Sequence, residues 1–166
     1  MKTLNIGAKI QICSHMELTT DQKNVVEAAK SATFRSYAPF SHYNVGAAVL
    51  LDNGEIISGS NQENAAFPSG LCAERTALFY AGSQYPDVPI RKLAIIARQN
   101  GDITKNICSP CGACRQVICE SEFRAGKPIE ILLCSDTEVY IFEGISGLLP
   151  FNFTSDNMKQ TADNPV

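Results

Sequence analysis

Apolar positions recur along the chain in more than one rhythm. After Thr20 and Asp21, which suit a helix cap, Val25, Val26, Ala29 and Phe34 fall on one face, and the spacing predicts a helix to about Ser36 with those side chains inward. Pro39 breaks that pattern, so SYAPFSHYN reads as a loop. VGAAVLL at residues 45–51 and EIISGS at residues 55–60 are apolar runs separated by Asp52, Asn53 and Gly54. An Asn-Gly pair between two such runs predicts a hairpin, because both residues tolerate positive φ. The loop SNQENAAFPSG then leads into a second helix, CAERTALFYAG. RKLAIIARQ reads as a buried strand and residues 101–108 as a loop. A third helix runs from about Pro110 into SEFRAG, followed by strands in PIEILLCS and EVYIF and one helical turn in ISGLLP.

The order helix, hairpin, helix, strand, helix, strand, strand predicts an α/β fold with a mixed β-sheet sandwiched by helices. Residues 1–18 carry no clear period and read as a loosely attached N-terminal extension. Residues 19–157 read as a single domain and residues 158–166 as a polar C-terminal tail. At 166 residues, such a domain can bury its own core without staples.

Composition narrows the partners. The net charge of -3 and the lack of a basic stripe argue against nucleic acid, leaving small molecules as the expected substrates. No apolar run is long enough for a membrane span. The opening MKTLNIGAKIQIC lacks the apolar stretch and small-residue cleavage site of a signal peptide. Seven cysteines in a chain without a secretory signal point to metal binding in a reducing cytoplasm, not to a disulfide framework.

The segment SPCGACRQV carries the strongest candidate chemistry. With Ser109 as N-cap and Pro110 at the first helical position, Cys111 falls in the first turn, where the helix dipole favours a thiolate. Cys114 shares its face, so the two can grip one cation, with zinc the first candidate for thiolate ligands. A third ligand must come from Cys13, Cys72, Cys108, Cys119 or Cys134. Cys72 stands out because it also opens a helix, and two helix starts facing each other can bring three thiolates to one point. Cys108 stays open as a candidate, and it would have to bend back across Pro110. Three protein ligands leave one coordination place for water, which is the catalytic arrangement. Glu74, near the same helix end, can then shuttle protons, although a first-turn acid also simply suits the dipole. Arg75 can donate to the sulfurs and withdraw charge from an otherwise electron-rich metal. His15 and His42 stand in no motif and read as non-ligands.

CAERTAL followed by PCGACRQV, together with APFSHYNVGAAVL, SNQENAAFPSG and LLPFNF, resembles the zinc-dependent cytidine deaminases of the small homotetrameric type. The resemblance spans most of the chain. It implies hydrolytic deamination of cytidine and deoxycytidine to uridine and deoxyuridine, with release of ammonia by a zinc-activated water. It implies Cys72, Cys111 and Cys114 as zinc ligands and Glu74 as general acid and base. Asn61 and Glu63 would hold the ribose hydroxyls. Tyr43 stands where Phe is usual beside base and sugar, and Phe67 where Tyr is common. Phe153 matches an aromatic that reaches a neighbouring subunit's site in a homotetramer. The blasticidin-S deaminases share a similar segment and the same chemistry. Other classes are a non-catalytic zinc protein with Cys108 and Cys119 filling the shell, and an iron–sulfur protein.

Overall fold

The structure is a computed structural model, and it describes residues 1–158. The tail expected at residues 158–166 lies outside the described residues, except for Met158, which closes a 3-10 turn at Ser155–Met158.

One mixed sheet organises the molecule. The hairpin strands β2 (Tyr43–Leu51) and β3 (Ile56–Ser60) pair antiparallel, as do β2 and β4 (Ile90–Gln99). A two-residue strand β5 (Asp102–Ile103) folds back on the end of β4. β6 (Glu130–Cys134) runs parallel to β4, and β7 (Glu138–Glu143) antiparallel to β6. With β1 (Ile10–Ser14) at one edge, the strands follow the spatial order β1-β7-β6-β4-β2-β3. Helix α1 (Thr20–Ala32) covers one face, where Val25, Val26 and Ala29 meet Ala48, Leu50, Ala94, Ile96 and Leu132. Helices α2 (Ala73–Gln84) and α3 (Gly112–Ala125) cover the other, where Ala77, Leu78 and Ile118 meet Val49, Leu93, Ile95 and Leu133. Both faces are therefore dry. That is why VGAAVLL and LAIIA are continuous apolar runs and do not alternate with polar residues.

Four details differ from the sequence-based expectation. The cap of α1 is Thr19, one residue earlier than the predicted Thr20. Gln22 completes a reciprocal box with it, donating its N–H to Thr19 Oγ1 at 3.4 Å and accepting from Thr19 N at 2.9 Å. Phe34 does not face inward. The chain tightens into a 3-10 turn at Thr33–Arg35, Thr33 takes the buried place four residues after Ala29, and Phe34 lies exposed beneath the Arg98 guanidinium. In the hairpin turn only Gly54 adopts positive φ, at 90°, while Asn53 Oδ1 accepts from Glu55 N. The fourth difference concerns residues 1–18, which are not all a loose extension. β1 (Ile10–Ser14) is the outermost strand, antiparallel to β7. Without it, β7 would present unpaired N–H and C=O groups at the sheet edge. His15 Nε2 lies 2.9 Å from the Ser135 carbonyl oxygen, and Leu18 is buried in the α1-side core.

Two glycines set how close the helices come to the sheet. A Cβ on Gly46 would lie 2.0 Å from the Ala29 carbonyl oxygen of α1. A Cβ on Gly59 would lie 2.6 Å from Ala77 N and 2.8 Å from Ala73 O in the opening of α2. Backbone atoms cannot give way as a flexible side chain can, so Gly59→Ala must push the start of α2 off β3. We expect a loss on the order of 3 kcal/mol, a fall in melting temperature of about 6–12 °C, and weaker metal retention, because α2 carries Cys72 at its cap. Thermal denaturation with metal analysis of the purified variant checks this.

Candidate metal centre and the adjoining groove

Cys72 and Cys111 occupy equivalent places. Each is the N-cap of its helix, with extended backbone (φ -70°, ψ 153° and φ -67°, ψ 169°), and neither makes a side-chain cap hydrogen bond. The predicted frame at the third helix is thus shifted. Pro110 precedes the cap and Cys111 is the cap itself, because α3 begins only at Gly112. Cys114 follows in the first turn and is fully buried. The sulfur atoms of Cys72, Cys111 and Cys114 lie within 4.8 Å of one another, with 3.9 Å between Cys72 and Cys111 and 3.5 Å between Cys111 and Cys114. Tetrahedral zinc with Zn–S bonds near 2.3 Å requires sulfurs about 3.75 Å apart. The donor set fits that ion in kind and in spacing.

The electrostatics agree. Hydrogen bonding from Cys114, then from Arg75 and Cys111, holds the Cys72 thiol well down, at about 5. The same bond to Cys72, followed by burial and by the Glu74 charge, pushes Cys114 strongly up. Three sulfurs this close cannot all ionise against one another; a shared dication removes the conflict. Arg75 Nη2 stands 3.9 Å from Cys72 Sγ, and Arg75 Nε is buried without a partner among the described residues. Glu74, also in the first turn of α2, is 4 % exposed, and burial raises its carboxyl above the ordinary range.

Cys108 and Cys119 stand apart from the sulfur cluster, among the described residues. The shell that would make this a closed structural site therefore does not form there. Burial, then the Glu74 charge, pushes Cys108 to about 12, so it is a neutral thiol in the wall of the site. Tyr43 lines the same wall, half-buried, with its hydroxyl raised to about 12 by burial and then by Cys108. This Tyr43–Cys108 contact has no signal in the sequence, because β2 and the loop before α3 meet only in the fold.

Beside Cys72 opens a groove of about 530 Å³ lined by Phe40, Asn61, Glu63, Phe67, Cys72 and Arg75, among others. Asn61 braces it. Its Oδ1 accepts from Ser36 Oγ and from Val45 N, the latter at 2.8 Å, and its Nδ2 donates to the Tyr43 carbonyl at 2.9 Å. One amide N–H remains available. Glu63 Oε2 accepts from Phe40 N at 2.9 Å and Ser41 N at 3.3 Å, which pins the loop, and the Ser41 and Phe40 bonds hold its carboxyl below the ordinary range. Phe67 is exposed and meets Phe40 edge-on, with ring centroids 5.7 Å apart. Phe153 is also exposed, its carbonyl accepting from Gln116 Nε2 at 2.6 Å.

The sequence matches the family profile described as cytidine and deoxycytidylate deaminase zinc-binding region over residues 19–126. A cytidine deaminase of Halalkalibacterium halodurans is 37% identical over 147 residues, 83% of this chain and 98% of that protein. One of Sporosarcina psychrophila is 37% identical over 145 residues, 86% of this chain and 98% of that protein. Among solved structures, a cytidine deaminase from Burkholderia pseudomallei superposes with a TM-score of 0.66 at 34% identity, covering 82% of this chain and all of that one (100%).

Proposed function

Because the chain belongs to the family of zinc-dependent cytidine and deoxycytidylate deaminases, we propose that it hydrolyses cytidine, and deoxycytidine, to the uracil nucleosides and ammonia. The single observation that carries this reading is the trio of sulfurs from the starts of two helices, with the buried Glu74 carboxylate in the first turn of α2. Zinc held by Cys72, Cys111 and Cys114 supplies, when bound, a Lewis acid that brings the pKa of a water to about 7.

The chain's own groups do the rest. Glu74 takes a proton from the attacking water and delivers it to ring N3 as the water's oxygen adds to C4. It then takes the second proton from the new C4 hydroxyl and delivers it to the amine as the C4–N4 bond breaks and the C4 carbonyl forms, so that water and nucleoside become uracil nucleoside and ammonia in balance. Its burial suits this task, since a carboxylate with a raised pKa is a stronger base than one in water. Arg75 donates to Cys72 and draws charge from the sulfurs. Asn61 offers its remaining N–H to a ribose hydroxyl. Glu63, whose carboxylate keeps further lone pairs while it holds the loop, accepts from another. Tyr43 lies beside base and sugar.

A homotetramer, in which Phe153 reaches a neighbour's groove, accounts for the exposure of Phe67, Phe79, Phe151 and Phe153 on one chain. Seven unpaired cysteines accord with a reducing, cytoplasmic setting. Among the described residues no helix is long and apolar enough to cross a membrane.

The test is a substrate panel. Zinc-loaded protein should release ammonia from cytidine and deoxycytidine, followed by loss of absorbance at the cytosine band, with little action on blasticidin S. Turnover of blasticidin S alone would move the reading to that sibling class, and zinc without any turnover would make the site structural.

A further inference from the structure

Cys111 is the most exposed of the three sulfur donors, and its aim depends on the backbone beneath it. The direction of a side chain is set by the two peptide planes that flank its Cα. At Cys111 one residue holds both. The Pro110 carbonyl, in the plane before, accepts from Arg115 Nε at 2.9 Å. The Cys111 carbonyl, in the plane after, accepts from Arg115 N at 2.9 Å. The same guanidinium continues to the Leu148 carbonyl through Nη1 at 2.8 Å and to Ser109 Oγ through Nη2 at 3.2 Å.

Cys72 is braced differently. The Leu71 carbonyl before it accepts from Gln62 N at 2.9 Å, and the Cys72 carbonyl accepts from Thr76 N at 3.0 Å and Thr76 Oγ1 at 3.1 Å. There the task is divided between two residues and is mostly backbone. At Cys111 it falls to one side chain and its own N–H.

We infer that Arg115 is a positioning residue for the metal centre: it aims the Cys111 sulfur and locks the turn that carries it to the chain segment at residues 148–153. The fork geometry matters. A guanidinium reaches two carbonyls and a hydroxyl at once, whereas an ammonium is a single point charge that cannot span Pro110 and Leu148 together. Gln116 extends the tie, since its Nε2 holds the Phe153 carbonyl. Two hydrogen bonds thus tie the segment at residues 148–153 to the first turn of α3. The inference rests on the zinc reading above, which the zinc content of the parent protein tests separately.

The experiment compares the full-length zinc-loaded parent with Arg115→Lys and Arg115→Ala. Zinc release to a chromogenic chelator should accelerate about 10- to 100-fold in both variants. If Arg115→Ala does not fold, Arg115→Lys carries the test, since it keeps the charge and the aliphatic stem. In the cobalt-loaded chain, the thiolate-to-cobalt absorption should shift or weaken in Arg115→Lys, with a melting temperature close to the parent's. Release within about twofold of the parent in both variants overturns the proposal. So does a lower melting temperature with an unmoved cobalt band, which would make Arg115 merely structural. A parent that takes up no zinc overturns it together with the reading beneath it.

Discussion

Glu74→Gln should keep its zinc and lose about 10³- to 10⁴-fold in kcat on cytidine, a loss of roughly 4–5.5 kcal/mol in transition-state stabilisation. The substitution is nearly isosteric. The amide cannot accept the water's proton and has none to give to the leaving amine, so both proton transfers fail at once. The three sulfurs are untouched, and the amide fills the same buried volume. Stripped of zinc, the variant should be as stable as the stripped parent or more so, because burial raises the Glu74 pKa and so penalises the ionised carboxylate in the folded metal-free chain. The sign follows from linkage: a carboxyl whose folded pKa lies above its unfolded value makes the fold less stable as pH rises through that interval, and Gln removes that loss. Kinetics on cytidine, zinc analysis and, once zinc is stripped, a melting curve on the same preparation check all three parts. A variant with wild-type turnover would mean that some other group moves the protons.

The parts of this site that were legible in the sequence are those that local chemistry announces. Proline and serine ahead of Cys72 and Cys111 mark helix starts, which made Cys72 the favoured partner of the Cys111–Cys114 pair, while Cys108 stayed open and the full trio was implied only by the resemblance to the deaminase family. Dry strands were legible as unbroken apolar runs. The failures share a different cause. Phe34 turned outward because the helix tightened by a fraction of a turn, and a 3-10 step leaves no mark in the hydrophobic period. β1 escaped because it is mostly exposed and contributes no buried apolar run, and its place depends on a vacant edge at β7 that only the assembled sheet possesses. The bracing of Cys111 by Arg115 joins neighbours in sequence, yet it takes its meaning from Leu148, which the fold brings from far along the chain. Asn61 is a mixed case. Its polar loop advertised binding, but the structure spends its amide oxygen and one N–H on bracing Ser36, Val45 and Tyr43.

Removing a ligand should separate the metal from the fold. Cys114→Ala is the sharpest choice, because Cys114 is fully buried and joins the cluster from inside the first turn of α3. We expect zinc to fall from about one ion per chain to nearly none and deamination to fall below detection, since two thiolates cannot hold a catalytic zinc against water. The chain should nevertheless stay folded. Its two cores lie on either side of the sheet and are built from the side chains of Val25, Val26, Leu93, Ile95, Ile131 and Leu132, with no part made by the metal. In this it differs from a zinc finger, where ion binding supplies the folding free energy. The melting temperature should drop only by the binding linkage that the zinc contributed and by the small cavity left at the missing sulfur. Cys108→Ala and Cys119→Ala supply the contrast: both residues stand outside the sulfur cluster, so both variants should keep zinc, and Cys119→Ala, away from the site, should keep turnover as well. If Cys108→Ala lost zinc as fully as Cys114→Ala, four sulfurs would hold the ion, the place for water would be closed, and the deaminase chemistry would have nowhere to occur.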